Sequence, residues 1–447
     1  VKTIKALSEP NPFNNYFKIW AVVLPINSWV LMPSNPGTTP GLLLSLLSVA
    51  FVLLFAISIK LKNNIELKKL TSFFYRDIII FIYILTLFNG LAQLTVLFKM
   101  NGGYDYNFAH NVILVNENGH IFLRSSLFTQ SIYLIAASII CFYAKYFYKK
   151  EWNKYIFIGT TIFLVYGFYE WFYYLIFGTT GDFLSNRVFA LDINGDPRLG
   201  SMSQRTDAFG LDTLRMKSLT GEPSAFALTV LPLWIFAIHL RKPLLHIPML
   251  IALILSTSST AFLGILIYFI YRVLRYHLRD RYCQILIYFS TILVILNYKR
   301  VASVLEFLLF SKIDSQSGSQ RSSSMFTHLD YFSHMPFFNK LFGVGFGYVR
   351  STDFFSTLLV NSGIVGFILF SIFFLYPIFK LKGNYFNDGL KVALLVIYVS
   401  LMISVPEFSY LTTWLFLGIS YNQLAREKKS IILYNLNPGK FQSSKLI

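Results

Sequence analysis

Residues 215–227, RMKSLTGEPSAFA, hold the chain's densest chemistry. Two cations, Arg215 and Lys217, precede a glycine, and Glu222-Pro223-Ser224 then leads straight into an apolar run. Proline in a first helical turn loses only an N–H that would have had no intrahelical partner. The spacing therefore predicts a membrane helix that starts here, with Glu222 at its mouth. The polar segment ahead of it, 178–221, carries Arg187, Arg198, Arg205, Arg215 and Lys217. A carboxylate can orient or deprotonate a hydroxyl, and a guanidinium grips phosphate oxygens in two places at once. The combination points to an anionic, lipid-linked substrate met at the edge of a membrane.

A second group of polar residues lies in 299–353. A helix running from Arg321 towards Pro336 would place Arg321, Met325, His328 and Phe332 on one face and His334 on the other. It is followed by LFGVGFGYVR, which ends at Arg350 and whose Gly343, Gly345 and Gly347 let backbone approach a neighbour or ligand closely. GVGFG is not a dinucleotide fingerprint, because no βαβ pattern surrounds it. DINGD at 192–196 is a polar turn, because Pro197 and Ser203 stand where a calcium loop needs its glycine and closing glutamate. No histidine pair has metal-ligand spacing with a carboxylate in reach. The two cysteines, Cys141 and Cys283, are expected to form neither a disulfide framework nor a metal site. No metal and no cofactor is expected. Glu170 lies inside an apolar run among Tyr166, Tyr169, Tyr173 and Tyr174. Glu407 follows Pro406 at the start of the last run and is expected in interfacial water.

The elements that must position these groups are membrane helices. Of 447 residues, 55% are hydrophobic and 13% charged, against about a quarter charged in soluble proteins. The fold class expected is an all-α integral membrane protein. Apolar runs place about twelve spans, at 17–33, 40–59, 77–98, 127–147, 154–177, 222–240, 243–256, 260–277, 282–298, 354–379, 388–405 and 408–424. Residues 256–260 make a tight hairpin between two short spans. One alternating set of connections holds 26 Lys and Arg and the other 13, so the first set, with both termini, is expected in the cytoplasm. The net charge of +18 is mostly this signal and implies no nucleic-acid partner. The inner set holds 19 Lys and 7 Arg, and the outer set 5 Lys and 8 Arg, the bias that phosphate recognition outside the membrane would need. The outer loops 99–126, 178–221 and 299–353 are long. The last opens with Val301, Val304, Leu305 and Leu308 at the spacing of an interfacial helix. One polytopic domain, 1–447, is expected, with 178–221 and 299–353 forming the active site.

In order along the chain, GEPSAFA after a basic loop, LSTSSTAFLGILI at 255–267, Arg321 followed by MPFFNKLFGVGFG at 335–347, and DFFSTLLVNSGIVGF at 353–367 are similar to stretches of the O-antigen polymerase and O-antigen ligase superfamily. The likeness is confined to the part after about residue 150. It implies a GT-C-like fold with short amphipathic helices in its periplasmic loops, in the bacterial inner membrane. It further implies an inverting, metal-independent glycosyltransferase acting on undecaprenyl-diphosphate-linked sugars, with membrane lipid around it and a chain-length regulator as a protein partner. Taken with the reading of the residues above, the catalytic candidates are Glu222, Arg215, Arg321, His328 and Asp353, and the substrate-binding candidates are Arg187, Arg198, Arg205, Lys217 and Arg350. Ligases typically carry a His-Asn pair where Thr352-Asp353 stands here, which favours the polymerase. The ligase, transferring glycan to lipid A-core, is the first alternative. A flippase or other transporter is the second, although its ionisable residues would be expected around a midplane cavity rather than in loops on one side.

Overall fold

The computed structural model describes residues 12–57 apart from 34 and 36, 65–104, 106, 114, 122–191, 197–199, 203–208, 211–276, 284, 288 and 316–436. The described residues form a multi-pass bundle of helices: α1 Pro12–Val23, α2 Pro40–Ile57, α3 Ile65–Asn101, α4 Ser125–Phe147, α5 Trp152–Phe177, α6 Pro223–His239, α7 Pro243–Leu255, α8 Ser259–Tyr276, α9 Gln316–His334, α10 Phe337–Phe342, α11 Phe354–Lys380, α12 Tyr385–Ile403 and α13 Leu411–Leu436. Seven of these (α2, α3, α4, α5, α8, α11 and α12) are long and apolar enough to cross a membrane, while α6 and α7 are apolar but shorter. The expected hairpin at 256–260 is present as the turn between α7 and α8.

Three expectations need correction. The span expected at 77–98 begins earlier: Ile65 opens α3, a helix of 37 residues that runs through Lys68, Lys69 and Arg76; lysine and arginine are good helix formers, and nothing in the segment breaks the backbone ladder. The first apolar run gives only 12 helical residues, because α1 ends ahead of Pro25. Where the resemblance implies loops with short amphipathic helices, the 178–221 segment carries strands. It contains two antiparallel hairpins, Val188–Leu191 (β1) with Pro197–Leu199 (β2), and Arg205–Ala208 (β3) with Leu211–Leu214 (β4). The expected span 282–298 apart from 284 and 288, the interfacial helix from Val301 and the DINGD turn at 192–196 lie outside the described residues.

Helix α6, launched by the GEPSAFA stretch, sits at the centre. Every residue from Pro223 to His239 is buried. A helix that is apolar all round belongs inside its bundle, and α6 is enclosed chiefly by α7, α8 and α12, with α13 also in contact.

The connections sort to two ends. At one, Lys145 of α4 pairs with Asp77 at 2.5 Å, Arg426 donates to Tyr148 O at 2.6 Å, Arg241 covers the Tyr385 ring at 5.6 Å, and Arg275 pairs with Asp388 at 3.1 Å. At the other, Asn27 N donates to Leu219 O at 2.8 Å, Met216 N to Leu255 O at 3.1 Å and the Tyr410 hydroxyl to Thr220 O at 3.1 Å; Thr260 and Ser404 share a 2.9 Å bond. The described connections of the two alternating sets thus gather at opposite ends of the bundle.

Candidate functional site

The arginine end is built around Arg215 and Glu222. Arg215 leaves β4, where its backbone N–H donates to Gln204 O at 2.9 Å. Its guanidinium donates to Ser256 O at 3.2 Å, to Thr257 O at 3.3 Å and to the Gln204 side chain. The serine-rich α7–α8 turn therefore serves as the cradle for this cation. Burial pulls Arg215 down to about 10, the like charge of Arg321 pulls in the same direction, and Glu222 opposes both. Glu222 is the N-cap of α6, with extended backbone (φ −146°, ψ 156°) and Pro223 after it. Its side chain does not cap the helix; it accepts from Ser224 Oγ at 2.5 Å and stays half-buried.

Arg350 arrives from the glycine-rich segment, which is pinned on several sides. Gln93 Nε2 donates to Val344 O at 2.7 Å, and Phe346 N donates to Asn89 Oδ1 at 2.9 Å. The buried Asn361 accepts from Tyr348 N at 3.1 Å and Val349 N at 3.0 Å, and donates to Val349 O at 2.9 Å. The segment lies against a break in α11, where Gly363 adopts φ 67°. A Cβ at Gly363 would meet Leu341 O at 2.2 Å, and one at Gly343 (φ 77°) would meet Asn361 O at 2.2 Å. Arg350 then pairs with Glu407, whose charge raises its pKa. Arg350 is 43% exposed while Glu407 is 15% exposed. Glu222 acts on Arg350 as well. Tyr410 is buried, and the charges of Glu407, Arg187, Glu222 and Arg350 all act on its hydroxyl. Arg187 is held by Asn27 O at 3.3 Å.

Arg321 comes from α9, whose inward face carries it with His328, as the helical wheel predicts. Thr352 Oγ1 donates to Arg321 O at 3.3 Å, which ties this helix to the end of the Arg350 segment.

Five of the ten expected residues thus share one electrostatic neighbourhood: Arg187, Arg215, Glu222, Arg321 and Arg350. Four of the others are engaged otherwise. Lys217 is fully buried and paired with Glu170 at 3.0 Å and Asp182 at 2.6 Å, so it holds α5 to the loop. Asp353 caps α11: it accepts from Ser356 N, Ser351 Oγ and Ser356 Oγ, each at 2.7 Å. His328 is fully buried, its Nδ1 bonded to Ser324 O at 2.7 Å. Arg205 lies over the Tyr174 ring at 5.4 Å, and Arg198 is in β2. Two members were missed. Glu407 was expected in water but is the partner of Arg350, and Tyr410 received no notice; the Pro406-Glu407 break ahead of the last apolar run was the available signal.

Four guanidiniums against two carboxylates leave the site net positive, which suits a dianion such as a diphosphate. Among the described residues, no three His, Cys, Asp or Glu side chains gather as a metal site would require. Beside this end, an apolar cavity of about 580 Å³ runs between α3, α4, α11 and α13, from Asp77 and Lys145 to Phe346 and Phe354. Both phenylalanines pack on Phe408, with ring centroids 5.0 and 6.0 Å away, next to Glu407. Comparison of the chain with protein-family models, with characterised proteins and with solved structures gives no match.

Proposed function

We propose that this chain is a glycosyltransferase of the bacterial inner membrane that polymerises undecaprenyl-diphosphate-linked oligosaccharide repeat units into O-antigen or a capsular or exopolysaccharide at the periplasmic face. The observation that carries this reading is the charge cluster at one end of the bundle, in which Arg321 and Glu222 both act on Arg215 while Glu222 also acts on Arg350, the ion-pair partner of Glu407. The apolar cavity, lined at one end by Phe346 and Phe354, supports a substrate borne on a lipid chain. In this reading the chain crosses the membrane about twelve times in a GT-C-like arrangement, with both termini in the cytoplasm.

The acceptor sugar's hydroxyl attacks the anomeric carbon of the donor glycan. The bond from that carbon to the diphosphate oxygen breaks as the glycosidic bond forms, with inversion. The hydroxyl proton passes to the Glu222 carboxylate, and the electron pair leaves on the lipid diphosphate, where the arginines stabilise the added charge. Asp353, at the place where ligases carry their His-Asn pair, is committed to capping α11, which favours polymerase over ligase.

The test uses purified full-length protein in liposomes with lipid-linked repeat units extracted from the source membranes. A glycan ladder is expected. Transfer only to added lipid A-core would make the chain a ligase, and movement of the lipid-linked unit across the bilayer without transfer would make it a transporter.

A further inference from the structure

A cavity of about 670 Å³ lies at the other end of the bundle, between the first turns of α5 and α7 and beside the end of α6. Its lining has two zones. Lys150, Lys154 and Lys242 stand at the charged end, with Glu151 as the one acid among the lining residues. All three lysines are exposed, and among the described residues none of them is in an ion pair. The second zone is an apolar wall that includes Ile158, Ile162 and Leu245. Lys154, Ile158 and Ile162 follow at i, i+4 and i+8, so one stripe of α5 passes from ammonium to hydrocarbon over two turns. Helix α5 is long and apolar enough to span a membrane, and Ile158 and Ile162 keep 39% and 53% of their surface uncovered.

We propose that this cavity binds an anionic phospholipid, with the headgroup phosphate among Lys150, Lys154 and Lys242 and one acyl chain along Ile158 and Ile162. The two zones select that occupant. A zwitterionic lipid has no net charge for three lysines to neutralise, and a soluble anion has no use for the wall. Basic pockets between membrane helices are suited to anionic headgroups, each lysine contributing about 1 kcal/mol near the surface, or about fivefold in affinity. The site is remote from the arginine cluster. Leu240, the C-cap of α6, lines the cavity, while Glu222 is the N-cap at the far end of the same helix, so the bound lipid braces the helix that carries Glu222.

The proposal is tested on the full-length protein in detergent, by native mass spectrometry and thermal unfolding. Phosphatidylglycerol should bind and raise the unfolding midpoint, and phosphatidylcholine should do neither. The triple variant Lys150→Gln, Lys154→Gln, Lys242→Gln should bind phosphatidylglycerol about 100-fold more weakly, at roughly fivefold per lysine. Ile162→Trp, which fills the wall and leaves the lysines intact, should also weaken binding. Equal binding of the two lipids by the parent protein would overturn the proposal, as would unchanged phosphatidylglycerol binding by the triple variant. Competition by glycerol phosphate as effective as that by phosphatidylglycerol would make this a site for soluble anions and overturn it too.

Discussion

Arg215 and Arg321 carry like charges into each other's field, and Arg321 adds to the burial that holds Arg215 down to about 10. One cation is fixed by the α7–α8 turn and the other rides on α9, so two remote segments must be folded together to create this repulsion. Like charges pressed together are a standing cost that Glu222 offsets only in part. A bound dianion would relieve it, because each guanidinium would then have a partner of opposite sign.

Charge alone should not suffice at these positions. Arg215→Lys and Arg321→Lys each keep the cation but lose the planar fork. Each should slow polymer formation by about 10²–10³, the scale for removing a preorganised transition-state donor. The measurement is the initial rate on lipid-linked repeats at matched protein concentration. Parental rates from both variants would reduce the two arginines to loop anchors.

The pH dependence follows from the same pair. Arg215 has a lowered pKa, so its charged form is disfavoured in the folded protein, yet about 10 is still well above neutrality and the group stays protonated there. An anionic ligand needs that charge. Calorimetry with a short polyisoprenyl diphosphate should show affinity that is flat around neutral pH and falls as the pH rises through about 10. Arg321→Gln removes the like charge and should move the fall to higher pH; an unmoved inflection would mean that the two arginines are not coupled.

Lys217 supplies a contrasting case. With Glu170 and Asp182 at 3.0 and 2.6 Å and its side chain 1% exposed, its loss would strand two carboxylates in a buried place. Lys217→Met should destabilise the protein by about 3–5 kcal/mol, the range for breaking a buried ion pair from one side. Adding Glu170→Gln should recover part of that. The readout is the thermal unfolding midpoint in detergent. A stable Lys217→Met protein with impaired substrate affinity would return Lys217 to the binding site.

What was readable beforehand follows physical lines. The spans showed because apolar runs declare themselves, and the 256–260 turn showed because serine and threonine interrupt one such run. The length of α3 did not show, because Lys68, Lys69 and Arg76 mark where apolar character begins without breaking a helix. The hairpins of 178–221 are three or four residues per strand and too short for alternation to register. Arg215 and Glu222 were legible together because they are neighbours in sequence. The pairing of Arg350 with Glu407 was not, because it spans 57 residues and depends on a backbone pinned by Asn89, Gln93 and Asn361. Lys217 looked like its neighbour Arg215 because its partners lie 47 and 35 residues upstream. Asp353, by contrast, could have been read correctly: an aspartate three residues ahead of Ser356 at the start of an apolar run is a helix cap.

Glu222 is the residue on which the catalytic reading turns. One role open to the N-cap of α6 is to serve the helix alone, where a carboxylate near the N-terminus contributes about 0.3–1 kcal/mol through the dipole. Its side chain makes no capping bond and instead accepts from Ser224 Oγ at 2.5 Å, while its charge acts on Arg215, Arg350 and Tyr410. That places it towards the arginine cluster rather than the helix amides. Glu222→Gln keeps the size and a carbonyl to accept from Ser224 but cannot take a proton. It should lower the rate by about 10²–10⁴, the usual scale of general-base assistance, with membrane abundance and unfolding midpoint unchanged and lipid-linked repeat still bound. Ser224→Ala removes the hydroxyl partner while leaving the carboxylate, and should cost far less. A Glu222→Gln protein that builds a full-length ladder at the parental rate would remove Glu222 from the reaction and leave it as an electrostatic counterweight to Arg215 and Arg350.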